Sequence, residues 1–113
     1  SEYPEKDYFI KDLNLSDIVH KVLLKYRVYL LDEKISVQVH HLEKKIYTDE
    51  KWLIFIISQI IQNAIKYMDK KEKKIEISAN ENKDNVVLLI KDNGCGLKKD
   101  LLVAIEVKNL QQE

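Results

Sequence analysis

The chain has 113 residues, of which 45% are hydrophobic and 34% charged, a composition that fits one soluble globular domain with a modest core. Its 19 basic and 19 acidic residues cancel, so a broad electrostatic attraction to nucleic acid or anionic lipid has no support. A single cysteine excludes an intramolecular disulfide and suits a reducing cytosol, and apolar runs such as Leu53 to Ile57 are far too short to span a bilayer.

With two glycines and one proline, the sequence offers no linker and no internal repeat, so residues 1–113 read as one domain with a frayed start at 1–7. Tyr8 to Leu15 alternates well enough for an edge strand. Ser16 is placed to cap a helix reaching about Leu31, because Val19, Leu23, Tyr26 and Leu30 recur at three- and four-residue spacing. Ile35, Val37 and Val39 alternate with polar partners and predict a half-buried strand; a shorter one is expected at Lys45 to Tyr47.

Thr48 or Asp49 is the expected cap of a second helix running to about Met68. Its apolar residues cover much of its circumference, which predicts the most buried helix of the chain. Ile75 and Ile77 mark another strand, Asn82 to Asn85 a polar turn, and the continuous run Val86 to Ile90 a central strand ending just before Asp92. After it, Leu97, Leu101, Ile105 and Leu110 are spaced as one amphipathic helix. Two helices against a mixed sheet make an α+β fold, a two-layer α/β sandwich with helices on one face.

Two segments carry chemistry. In Gln59-Ile60-Ile61-Gln62-Asn63-Ala64-Ile65-Lys66-Tyr67, helix geometry brings residues 59, 63, 66 and 67 onto one face. An amide oxygen is a hard ligand for Mg²⁺, and an ammonium matches phosphate charge. The alternative is a helix whose polar residues merely face solvent. Downstream, 25 residues after Tyr67, comes Asp92-Asn93-Gly94-Cys95-Gly96. Alone this is a good turn sequence; at the end of a buried strand it presents a carboxylate that can accept the exocyclic amine of adenine. Gly94 and Gly96 would allow close backbone approach to a ligand, with Cys95 as the variable position between them.

The ordered pair resembles the N box and first glycine box of the ATP-binding domain shared by sensor histidine kinases, gyrase, Hsp90 and MutL (the Bergerat fold). The resemblance covers roughly residues 9 to 106 and is nearest to kinases of small Gram-positive two-component systems. It implies ATP and Mg²⁺ as cofactors, with Asn63, Lys66, Tyr67, Asp92, Gly94 and Gly96 around the nucleotide. Asn63 and Gln59 would serve Mg²⁺. The gyrase, Hsp90 and MutL branches place a water-activating Glu where this chain has Gln59, which takes no proton at neutral pH. That favours a histidine kinase over an ATPase, and equally over an anti-sigma-factor-like serine kinase.

The implied partners are a histidine-bearing dimerisation domain of the same protein and a response regulator. The implied place is the cytoplasmic side of a membrane-anchored bacterial sensor, with no membrane contact from this domain. His20, His40 and His41 read as structural or surface residues rather than as the phosphoacceptor. The family's phenylalanine box and second glycine box are missing, and residues 107–113 depart from its pattern. The expected fold is therefore incomplete at the C-terminus, with a sheet edge open to self-association. The alternative reading is a lid-less domain of this fold acting as a protein interaction module.

Overall fold

The computed structural model describes residues 9–68 and 71–93, and the backbone of 99–106. The expected frayed start, Gly94, Cys95, Gly96 and the divergent tail lie outside the described residues.

Strand β1 (Ile10–Asn14) leads directly into helix α1 (Leu15–Lys25). The cap is Asn14, not Ser16: its side-chain oxygen accepts from Ser16 N–H at 2.9 Å while its own backbone is still extended. An Asn at the last strand position reaches the first orphan N–H groups, so the helix starts two residues earlier than a Ser16 cap would allow. The helix expected to reach Leu31 does not run unbroken. It stops at Tyr26, where φ −103° and ψ 11° leave the helical region, and resumes as α2 (Arg27–Asp32). The Tyr26 ring is buried in the core and its hydroxyl accepts from Gln62 Nε2 at 2.5 Å. Packing of this ring accompanies a break that spacing alone does not reveal.

Strands β2 (Ile35–His40) and β3 (Lys45–Asp49) follow, then helix α3 (Glu50–Tyr67) and strands β4 (Lys73–Glu81), β5 (Asn85–Asp92) and β6 (Lys99–Glu106). The main sheet has the order β2-β4-β5-β6, with β2 parallel to β4 and the other pairs antiparallel. It is a mixed sheet, as the α+β reading requires. The N-terminal strand does not join it: β1 pairs with β3 in a separate two-stranded sheet.

The largest departure is at residues 99–106, which form β6 rather than part of an amphipathic helix. The apolar run Leu101 to Ile105 is compatible with either periodicity, and a short apolar run does not separate them. What decides is the open edge of β5, whose backbone groups are satisfied along the full register from Asn85↔Glu106 to Asp92↔Lys99. Thus the edge of β5 is covered, and among the described residues β2 is paired on one side only.

The core lies between the helices and one face of the main sheet. Leu15, Ile18, Val19 and Val22 from α1 and Leu53, Ile57, Ile61 and Ala64 from α3 are buried together with Ile75, Ile77 and Ala79 of β4 and Val86, Leu88 and Ile90 of β5. Alternation in the strands assigns these residues to a single face. Each fully buried Ile or Leu contributes about 1.5–3 kcal/mol relative to exposure.

Candidate functional site

Helix α3 is anchored at its start and open at its end. Asp49, itself buried, caps it by accepting Trp52 N–H at 2.7 Å, and its second oxygen accepts Phe9 N–H at 2.6 Å. The buried positions 53, 57, 61, 64 and, just past the helix, 68 repeat at three and four residues and fix which side meets the sheet. Gln59, Asn63, Lys66 and Tyr67 are all exposed. At 3.6 residues per turn these four span an arc of roughly 100° on the opposite flank. The expected shared face is therefore present. Lys66 Nζ stands 5.2 Å from the centre of the Tyr67 ring, so the ammonium and the aromatic ring form one unit at the last turn.

Asp92 is the last residue of β5 and is half-buried. It shares strand parity with Val86, Leu88 and Ile90, so it belongs to the sheet face that carries the helices. Its partner in β4 is Ile75, two residues into that strand, and β4 begins shortly after α3 ends. Register and connectivity together bring the carboxylate to the same end of the domain as Lys66 and Tyr67. Asp92 pairs with Lys99, so β6 begins at this end as well.

Asn93, to which sequence reasoning gave no role, is held by long-range bonds beside Asp92. Its side-chain oxygen accepts Lys74 N–H at 2.9 Å, its amide donates to Glu72 C=O at 2.6 Å, and its backbone N–H donates to Lys74 C=O at 3.2 Å. Three bonds tie the residue after Asp92 to the start of β4 and so fix where β5 ends. The turn propensity of Asn was visible in the sequence; its long-range partners were not.

The histidines stand elsewhere. His20 Nδ1 lies 2.7 Å from the carbonyl of Ser16 within α1, and His40 Nε2 is 3.8 Å from Glu76. Among the described residues no three His, Cys, Asp or Glu side chains converge as a metal site. The sequence reading assigns Mg²⁺ to amide oxygens of α3 instead. The exposed oxygens of Asn63 and Gln59 suit that donor set. No described helix is long and apolar enough to cross a membrane.

The profile of the histidine kinase-, DNA gyrase B-, and HSP90-like ATPase family matches residues 48–111, more than half of the chain. The chain belongs to this family. The match begins beside the Asp49 cap and takes in α3, β4, β5 and β6. The sensor histidine kinase YxdK of Bacillus subtilis (strain 168) is 32% identical over 94 residues, which are 82% of this chain and 29% of that protein. The chain thus spans less than a third of that relative's length. The Acinetobacter baumannii histidine kinase AdeS superposes with a TM-score of 0.72 at 24% identity, over 80% of this chain and 45% of that one. Histidine kinase ThkA in complex with response regulator TrrA gives a TM-score of 0.68 at 17% identity, over 76% of this chain and 26% of that one. These structures establish the fold; the family profile establishes kinship with ATP-binding enzymes, and neither favours the interaction-module alternative.

Proposed function

We propose that this chain is the ATP-binding catalytic domain of a sensor histidine kinase. In the whole protein it would direct the γ-phosphate of Mg-ATP to a histidine on a separate dimerisation domain, for relay to a response regulator. The observation that carries the reading is Asp92: a carboxylate on the helix-side face of a buried strand, at the same end of the domain as the exposed polar flank of α3.

Each residue has a physical role. Asp92 accepts the exocyclic amine of adenine, which selects adenine over guanine. Gly94 and Gly96 let the backbone approach the base and ribose. Tyr67 packs along the nucleotide, Lys66 neutralises phosphate charge, and the amide oxygens of Asn63 and Gln59 hold Mg²⁺ directly or through water. Mg-ATP supplies the transferable phosphoryl group, and catalysis by this domain consists of positioning and charge neutralisation. Gln59 withholds a base from water, so the phosphoryl group is kept for a histidine rather than lost to hydrolysis. Such a domain works on the cytoplasmic side of a membrane-anchored sensor.

The test is calorimetric titration of the chain with ATP, with and without Mg²⁺. Asp92→Asn, which turns an acceptor oxygen into a mismatched amide, is expected to weaken binding by roughly tenfold or more, since an unmet hydrogen bond to a charged group costs about 1.5–3 kcal/mol. Equal affinities for the two proteins would remove Asp92 from the site.

A further inference from the structure

We infer that Asn93 is a positioning residue for adenine recognition. Its side-chain amide stands in for a peptide group at the end of the β4–β5 ladder and so holds the Asp92 carboxylate in place. The inference rests on the proposed nucleotide site and deepens it, because Asn93 acts through Asp92 rather than on the nucleotide itself.

Strands β4 and β5 pair antiparallel as far as Ile75↔Asp92, and the next rung outward would join Lys74 to Asn93. In a hydrogen-bonded antiparallel pair the two residues exchange both N–H···O=C bonds. Half of that exchange is made by the main chain, where Asn93 N–H donates to Lys74 C=O at 3.2 Å. In the other half the acceptor is the Asn93 side chain, whose Oδ1 takes Lys74 N–H at 2.9 Å. The amide nitrogen Nδ2 then donates to Glu72 C=O at 2.6 Å, two residues further back. The side chain thus offers one acceptor and one donor, as a peptide unit does. A ladder that ends in a side chain can release the main chain at Asn93 without leaving Lys74 N–H unsatisfied.

An asparagine that serves only its own turn bonds backbone groups two or three residues on. Asn82, in the turn between β4 and β5, does this, accepting from Asp84 and Asn85 N–H. The side-chain partners of Asn93 lie 19 and 21 positions back instead. Its bonds therefore serve the junction of two strands and not the turn that follows.

On the β4 side, Ile75↔Asp92 is the last regular rung. Strand ends open easily, and a carboxylate on an open end samples several positions. Asn93 adds a bonded residue beyond Asp92, so the half-buried carboxylate sits inside a closed ladder. A hydrogen bond weakens steeply once its angle closes, and an acceptor that is already ordered does not have to be ordered on binding. Loosening Asn93 should therefore cost selectivity for the exocyclic amine before it costs anything else.

The test compares ATP with purine riboside triphosphate, which lacks that amine, by calorimetry in the presence of Mg²⁺. The parent chain should bind ATP roughly tenfold more tightly. In Asn93→Ala the preference should fall to about threefold or less, with the circular dichroism spectrum unchanged. Asn93→Asp keeps the acceptor for Lys74 N–H and lacks the donor to Glu72, so an intermediate preference is expected. Both ligands carry the same triphosphate, so the added charge cancels in the ratio. Glu33→Ala breaks the ion pair that Lys73 makes at the same strand start, at 2.8 Å, and should keep the full preference.

A full preference in both Asn93 variants overturns the inference and leaves Asp92 in the site. An equal loss in Glu33→Ala overturns it too, because the cause would then be a loosened start of β4. A parent chain that binds both nucleotides alike, or neither, overturns the reading of Asp92, and the inference falls with it.

Discussion

The two ends of α3 handle their polar residues in opposite ways. At the N-terminal end Asp49 and Glu50 are tied to neighbouring groups. Asp49 holds Trp52 and Phe9, and Glu50 is paired with Lys21 of α1 and, at 3.4 Å, with Lys11 of β1. At the C-terminal end Gln59, Asn63, Lys66 and Tyr67 stand exposed on a helix whose other side is among the most buried surfaces of the molecule. Polar residues beside a core therefore come in two kinds here. Those that bind the protein's own backbone and charges serve the fold, and those on the exposed flank stand at the same end of the domain as a half-buried carboxylate.

Breaking the first kind should cost stability and nothing else. Asp49→Ala removes an N-cap and leaves two backbone N–H groups near the core without their acceptor. A loss of about 2 kcal/mol is expected in urea unfolding. The ATP affinity of the fraction that remains folded should be unchanged, since Asp49 lies at the far end of α3 from Lys66. A matching loss of affinity would mean that the two ends are coupled and would blur the contrast between them.

How far this contrast was legible in the sequence depends on the range of the interaction involved. The exposed flank of α3 follows from helical spacing within nine residues, and the carboxylate at the end of β5 follows from the apolar run ahead of it. Both are local patterns, and both were readable. The β1–β3 sheet, the break at Tyr26 and the bonds of Asn93 to Glu72 and Lys74 join residues 19 to 39 positions apart or depend on a ring packed in the core, and no local pattern encodes them. Residues 101–105 show the same limit from the other side, because their apolar run suits a helix or a strand until the edge of β5 chooses.

Breaking the second kind should do the reverse. Lys66→Ala removes an exposed ammonium that stands over the Tyr67 ring, an exchange expected to change unfolding free energy by no more than about 0.5 kcal/mol. The same substitution should weaken Mg-ATP binding about tenfold, because a charge-assisted contact to phosphate is lost. Adenosine, which has no phosphates, should bind both proteins alike. Equal losses for adenosine and ATP would instead assign Lys66 a role in holding the Tyr67 ring.

The smallest expected effect sharpens the comparison by pH. The hydrogen bond from Lys21 holds the Glu50 carboxyl below its ordinary value of 4.5; partial burial opposes this, and Lys11 adds to the lowering. The folded chain therefore binds this proton less tightly than the unfolded chain does. The pairing adds stability at neutral pH, and that contribution is lost as pH falls below 4.5 and through the folded-state value. Glu50→Gln should thus be less stable than the parent protein at neutral pH, by on the order of half a kcal/mol after solvent screening, and the two should converge in acid. Urea midpoints of both proteins measured across that range check it. A difference that persists unchanged in acid would mean that Glu50 acts through packing rather than charge, and that the lysines of β1 and α1 do not tie down the start of α3.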